Sequence, residues 1–486
     1  SSAASDVYKR QMQNLKTRRT GLFSVDFDVK IMESSMNIDT KHPETLGLHG
    51  GNYRKDAVTN AVAVPIYQTT SYQFDSAEHA QKLFGLQELG NIYTRIMNPT
   101  TQALEERLAS IEGGVAALAV ASGSSAVALS IQNLASAGDN IVASPHLYGG
   151  TYNLFTNTLR EMGIEVRFAD PSEPESFRAL SDDKTRAYFG ETLPNPKLVP
   201  FPIEEVASIG RELGIPLIVD NTAAPITCRP FDFGATIVVH SLTKYIGGHG
   251  TSIGGVIIDS GTFDWVANPN QQPHFNKPDS SYHGAIWGEL VPEALGAPIA
   301  YAVRARVVLL RDLGSALSPT NAFNIIQGLE TLALRFDRHQ KNASEVVEFL
   351  SSHPSVVSVI YPSEFSGSEK NKVRKYLKKG FGALVGIELS GGIEAGKEFI
   401  DNLKMFYHVA NIGDARSLAI HPASTTHSQL SAEDQIAAGV TPGYVRLSIG
   451  IEHIEDIIAD LKHCLLYTSD AADEGLGVDL GGRRII

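Results

Sequence analysis

The sequence predicts an α/β protein: a large domain built on a mostly parallel sheet covered by helices on both faces, followed by a smaller C-terminal α+β domain. Three observations carry this. From about residue 103 helical and strand-like patterns alternate, the arrangement that gives parallel sheets. The chemically capable residues fall at the C-terminal ends of the strand-like runs or just after them, where open α/β sheets place their ligands. Past Leu309 the texture changes to amphipathic helices and a strand pair.

Taken in order, a helix through Leu104-Glu105-Glu106-Arg107-Leu108 leads to an apolar strand from Ala116 to Val120 and a helix beginning near Ser124. A strand at Asn140–Ala143, a helix from Asn153 to Glu161 and a strand at Glu165–Phe168 follow. The apolar runs Ile215–Val219 and Ala235–Val239 read as interior strands, closed by Asp220 and by His240-Ser241-Leu242-Thr243-Lys244. The stretch from Trp265 to Pro298 is rich in Pro, Asn, Gly and aromatic residues without periodicity. It predicts a long loop, which inside a compact enzyme is usually functional. Asn324–Glu330 and Leu332–Phe349 carry apolar residues at helical spacing, and Val356–Tyr361 with Ala383–Leu389 reads as a strand pair. The basic segment Lys370–Lys379 is expected to be a solvated loop or helix face rather than a nucleic-acid site.

These patterns divide the chain into a non-native or disordered tail over 1–36, an N-terminal arm over 37–99, a large domain over 100–315 and a C-terminal domain over 316–464. Residues 465–486, like Ser1–Gln11, read as vector-derived sequence and are expected to form a non-native tail. Lys16, Arg18 and Arg19 hint at an organellar presequence, but Asp26 and Asp28 soon follow, and such leaders are poor in acids.

Length and composition narrow the function classes. A chain of 486 residues exceeds what one core organises. With 43% hydrophobic and 20% charged residues it has ordinary soluble composition, and the expectation is no membrane span. A net charge of −13 argues against a general nucleic-acid surface. Two cysteines, Cys228 and Cys464, leave no disulfide framework and no metal cluster, so a reducing, cytoplasmic setting and no metal are expected. Cys228 reads as a small packed residue.

The chemistry gathers around Lys244. It follows a buried strand, has Ser241 and Thr243 beside it and Gly247-Gly248-His249-Gly250 behind it, the setting of a Schiff-base lysine. Asp220, at the tip of the neighbouring strand, needs a cationic partner because an unpaired buried carboxylate is costly. A protonated pyridine nitrogen would serve. Ser122-Gly123-Ser124-Ser125 opens a helix, where free N–H groups and the helix dipole favour a phosphate. Lysine, acid and phosphate cradle together are what pyridoxal 5'-phosphate requires. Arg446, inside the strand-like Val445-Arg446-Leu447-Ser448-Ile449, needs an anion. The glycines from Gly247 to Gly255 do not spell a dinucleotide fingerprint.

Five motifs in order, Tyr93-Thr94-Arg95 with Asn98-Pro99-Thr100, Ser122-Gly123-Ser124-Ser125-Ala126, Leu147-Tyr148-Gly149-Gly150-Thr151, Val219-Asp220-Asn221-Thr222 and Ser241-Leu242-Thr243-Lys244-Tyr245, give the chain a family resemblance. From about Glu44 to His463 it resembles the pyridoxal-phosphate (PLP) enzymes of cysteine and methionine metabolism. The resemblance implies an aspartate aminotransferase-like fold (PLP fold type I), a homotetramer built as a dimer of dimers, and a role in methionine biosynthesis. It implies that Lys244 and Tyr148 are catalytic, Tyr148 also stacking on the cofactor ring. It further implies that Asp220, Thr222, Ser241, Thr243, Ser122, Gly123 and Ser124 hold the cofactor, and that Tyr93 and Arg95 reach the phosphate in a neighbouring subunit. Arg446, with Asn411 and Tyr93, would bind substrate. Bland alternatives stay open: a turn hydroxyl for Thr222, a core tyrosine for Tyr148, a local salt bridge for Arg95. Asn411-Ile412-Gly413-Asp414, His421-Pro422-Ala423-Ser424-Thr425-Thr426-His427 and Tyr282-His283-Gly284 look like the O-acetylhomoserine sulfhydrylase branch, with O-acetyl-L-homoserine and sulfide as substrates. Cystathionine γ-synthase or γ-lyase is the sister reading, and a non-catalytic PLP-fold binding subunit the remote one.

Overall fold

The structure, a computed structural model, describes residues 39–474 apart from 89, 427, 429, 430 and 438. It divides between Asp39 and Thr40, and the unit from Thr40 onward carries the fold described below. The expected tail over 1–36 lies outside the described residues.

The large sheet comprises β1 (Ala116–Val120), β2 (Asn140–Ala143), β3 (Glu165–Phe168), β4 (Thr185–Glu191), β5 (Leu217–Asp220), β6 (Ile237–Ser241) and β7 (Gly255–Asp259), in the order β1-β7-β6-β5-β4-β2-β3. β7 runs antiparallel to β1 and β6, and the remaining pairs are parallel. Successive residues of a strand face opposite sides, and the packing follows. Val238 joins Leu104 and Leu108 of the helix Pro99–Glu112, whereas Ile237 and Val239 join Val127 and Ile131 of the helix Gly123–Gln132. Every residue of β4 is buried, the pattern of a strand covered on both faces. The ends of β2, β4, β5 and β6 therefore open toward one edge.

Local sequence sets the helix starts. Asn98 caps Pro99–Glu112 by accepting from Thr100 N at 3.0 Å, and its amide donates to Tyr67 O at 2.8 Å. Thr100 Oγ1 donates to Pro65 O at 2.7 Å, so the Asn-Pro-Thr motif also fastens the arm to this helix. Gly113, at φ 80°, ends the helix in the left-handed conformation that glycine adopts without strain.

The second sheet comprises β8 (Val356–Ile360), β9 (Leu384–Leu389), β10 (Tyr407–His408), β11 (Leu418–Ile420) and β12 (Tyr444–Ser448), in the order β10-β11-β12-β9-β8. The expected pair around 356 and 383 is β8 against β9, antiparallel. Between the sheets lie the helices Pro319–Glu330 and Leu332–Ser351. One buried cluster joins Leu104, Leu242, Ile325, Phe336, Val385 and Leu447, so the core runs unbroken across residue 316. The basic segment lies largely on the helix Gly367–Tyr376, with Lys375 held 2.8 Å from Glu205. No helix of the described residues is long and apolar enough to cross a membrane.

Two expectations are corrected. The region 265–298 is not a loop: it holds the helices Pro273–Asn276 and Trp287–Leu295, with Trp265, Phe275 and Trp287 buried. Trp265 stacks on Phe275 at 4.4 Å and on Tyr301 at 5.3 Å. Each such ring buries a large area, so a few isolated anchors order the segment without any periodic pattern. The boundary at 465 falls inside the last helix, Ile454–Glu474, and Leu465 is fully buried in the continuous core.

Candidate active site

Lys244 stands three residues beyond the end of β6, and its Nζ donates to Asn411 Oδ1 at 2.5 Å. Burial, helped by the positive charge of Arg446, lowers its pKa to about 8, so the amine sheds its proton far more readily than an ordinary lysine. Arg446, in β12, donates to the backbone carbonyl of Asn411 at 3.1 Å. It is buried, no carboxylate pairs with it among the described residues, and burial pulls its pKa down. Asn411 thus joins the lysine of the large sheet to the arginine of the small one. Gly413, two residues on, adopts φ 70°, and a Cβ there would lie 2.6 Å from the ring of Tyr245.

Asp220 ends β5, and its Oδ1 accepts from Thr222 N at 2.9 Å. Burial raises its pKa against the opposing pull of the Thr222 hydrogen bonds, and no lysine or arginine pairs with it among the described residues. Thr222 Oγ1 accepts from Ser241 N at 2.8 Å, locking the tips of β5 and β6 together. Ser122 caps the helix Gly123–Gln132: its hydroxyl accepts from Ser125 N at 3.1 Å, leaving the N–H groups of Gly123 and Ser124 for a ligand. A Cβ on Gly123 would come within 2.6 Å of Ser241 Cβ, so this helix start and Ser241 share one cradle. Thr243 Oγ1 is tied to Gly254, accepting from its N–H at 3.1 Å.

Tyr148 follows β2 and is more than half exposed, so it is not a core residue. Its N–H donates to Glu191 Oε1 at 2.6 Å, and Glu191 lies beside Asp220 in the β4–β5 register. Sequence reasoning missed Glu191, although the signal that found Asp220, an acid closing a buried strand, is present at 185–191 as well.

Tyr93 and Arg95 are not brought to Lys244. They line a separate cavity of about 400 Å³ with Tyr72, Phe74, Phe84 and Arg311. The Arg95 guanidinium sits 5.2 Å from the Tyr93 ring, and its charge acts on Asp312 without a close ion pair among the described residues. His421 is buried and bonded to Ser424 and Pro442, a structural role. His427 lies outside the described residues. Cys228 is buried and its thiol pushed well up by burial, consistent with a packed residue.

A half-buried lysine with a depressed pKa, a half-buried acid lacking a cation, a buried arginine lacking an anion and a helix start open toward a serine fit pyridoxal phosphate and an amino-acid substrate. Together with the fold they define a PLP-dependent enzyme. The sequence signature described as "Cys/Met metabolism PLP-dependent enzyme" matches residues 44–466, and the chain belongs to that family. It is 54% identical to an O-acetyl-L-homoserine sulfhydrylase of Leptospira meyeri over 87% of this chain and 96% of that one. It is 46% identical to a homocysteine synthase of Schizosaccharomyces pombe, over 88% and 99%. A Campylobacter jejuni crystal structure named for O-acetylhomoserine (thiol)-lyase, carrying a pyridoxyl-lysine phosphate, superposes with a TM-score of 0.83 at 43% identity, covering 87% of this chain and all of that one. A cystathionine γ-lyase of Lactobacillus plantarum gives 0.73 at 29% identity, covering 88% and 99%.

Proposed function

We propose that the protein is an O-acetyl-L-homoserine sulfhydrylase, forming L-homocysteine and acetate from O-acetyl-L-homoserine and sulfide by γ-replacement. The observation that carries this reading is the 54% identity, over nearly the whole of both chains, to a protein of that name. Asn411, placed between Lys244 and Arg446, supports it from the site side.

Bound pyridoxal phosphate supplies an electron sink for the substrate amino acid. Arg446 binds the α-carboxylate, the anion its buried charge lacks. Lys244 Nζ, poised near neutral pKa, takes the proton from Cα and then one from Cβ so that acetate leaves Cγ, and returns protons to Cβ and Cα once sulfide has added at Cγ. Asn411 Oδ1 keeps Nζ in place between transfers. Tyr148 takes a proton from the incoming amine and offers its ring face for stacking. Asp220 holds the pyridine nitrogen protonated, with Thr222 on the ring's hydroxyl side. The N–H groups of Gly123 and Ser124, next to the capping Ser122, hold the phosphate with the hydroxyls of Ser241 and Thr243. Tyr93 and Arg95, exposed and far from their own chain's lysine cluster, complete the phosphate site of a second copy within a dimer, two dimers forming the tetramer. The setting is the cytoplasm.

Cystathionine γ-synthase and γ-lyase share this cofactor and differ in the second substrate or in whether water finishes the reaction. The likeness to the Lactobacillus plantarum lyase keeps that reading as the second one. The deciding experiment mixes the PLP-loaded protein with O-acetyl-L-homoserine and either sulfide or cysteine, and identifies products by mass spectrometry. Homocysteine formed faster than cystathionine is expected; preferred cystathionine, or 2-oxobutanoate without either thiol, refutes the assignment.

A further inference from the structure

We propose that Glu191 is a positioning residue of this site: it fixes the backbone of Tyr148 and thereby the aromatic face offered to the cofactor ring. The proposal rests on the reading of Tyr148 as the ring-stacking residue. β2 and β4 are neighbours in the sheet, so the loop that leaves β2 passes the end of β4, where Glu191 stands. Glu191 is buried, and its Oε1 takes the Tyr148 N–H at 2.6 Å. The far side of the loop is fixed by Gly150, where a Cβ would lie 2.5 Å from Cε1 of the Tyr148 ring. Backbone on the carboxyl group and ring on the glycine leave the other ring face free, with 56% of the residue exposed.

The groups facing Glu191 explain how a second acid is tolerated beside Asp220. From β5 comes Asp220, from the loop after β2 comes Tyr148, and no lysine, arginine or histidine pairs with Glu191 among the described residues. Beyond Asp220 lies His240 of β6, whose charge acts on Asp220. Burial, and then the negative charge of Asp220, push the Glu191 carboxyl well above the usual carboxylate range. Both effects disfavour a second negative charge beside Asp220.

The experiment compares the holoenzyme with Glu191→Met, Glu191→Gln and, as a control on the underlying reading, Tyr148→Ala. Met keeps the volume and removes the acceptor; Gln keeps the acceptor without a charge. Visible circular dichroism of the bound cofactor across pH, kcat and KM separately, the PLP dissociation constant of the apo-protein and thermal unfolding are recorded. Glu191→Met is expected to alter the visible dichroism in the direction of Tyr148→Ala and to lower kcat roughly tenfold, the loss of one buried hydrogen bond. Gln should restore the dichroic band and most of kcat, with its pH dependence as in the parent. If Tyr148→Ala changes the band and Glu191→Met does not, the proposal is overturned. A band unmoved by Tyr148→Ala sinks the stacking reading instead.

Discussion

Arg446 is expected to act on chemistry as well as on binding, and the two effects can be measured apart. With its pKa at about 8, roughly one Lys244 in ten is neutral at pH 7, against about one in several thousand for an ordinary lysine. Burial is the larger cause and the charge of Arg446 the second. In Arg446→Met the burial remains and the repulsion goes. The drop from 10.5 to about 8 is worth ~3–3.5 kcal/mol and burial is its larger part, which leaves the repulsion ~1–2 kcal/mol. The neutral fraction at pH 7 then falls about five- to thirtyfold. The readout is covalent capture of pyridoxal phosphate by the apo-protein, trapped with borohydride from about pH 6 to pH 10 and quantified on the Lys244 peptide by mass spectrometry. The midpoint should move to higher pH in the variant. In the loaded enzyme, KM for O-acetyl-L-homoserine should rise about thirtyfold or more, because losing one partner of a buried charge pair costs ~2–5 kcal/mol. An unmoved midpoint together with an unchanged KM would refute the argument that this arginine faces both the lysine and the carboxylate.

Gly123→Ala would put a methyl group 2.6 Å from Ser241 Cβ. One side of the cradle must yield, and apo-protein titration should show PLP affinity weakened about tenfold or more, the loss of one charge-assisted hydrogen bond; unchanged affinity would remove Gly123 from the phosphate site. Leu465→Ala should destabilise the fold by ~2–5 kcal/mol in chemical denaturation, as emptying a fully buried leucine site does. A change under ~0.5 kcal/mol would return residue 465 to the tail. Mixing Arg95→Ala with Lys244→Ala chains should recover activity through hybrid dimers, since one site of the hybrid receives intact residues from both chains; no recovery would count against sharing.

The legible parts of the chain were those whose physics is local. β1, β2 and β3 coincide with the strand-like runs read at 116–120, 140–143 and 165–168, each a short β-prone stretch set off from the helical patterns on either side. Asp220 and Lys244 were legible for a related reason: a charged or reactive group closing such a run breaks the pattern. What escaped depends on contacts distant in sequence. The 265–298 segment is ordered by aromatic anchors that touch Tyr301 and Val307, and nothing in its own spacing announces them. The helix expected from Asn153 begins at Gly149, where two glycines hide its start. Glu191 gains its meaning from Tyr148, forty-three positions away. Asn411 was read from its motif, but its contact with Lys244 bridges two sheets and is visible only once they are assembled.

The close approach of Gly413 to Tyr245 bears on how such an enzyme changes its substrate. The residue next to the reactive lysine is wedged against the loop that carries Asn411, inside a core shared by both sheets. The spacing between Lys244 and Arg446, both bonded to Asn411, is thereby built in, like the fixed jaw of a gauge. An enzyme on this scaffold that took a different side chain or a different nucleophile would not need to re-aim the two ends. It would keep the gauge and alter the walls around the space beyond it, far from the lysine's own motif.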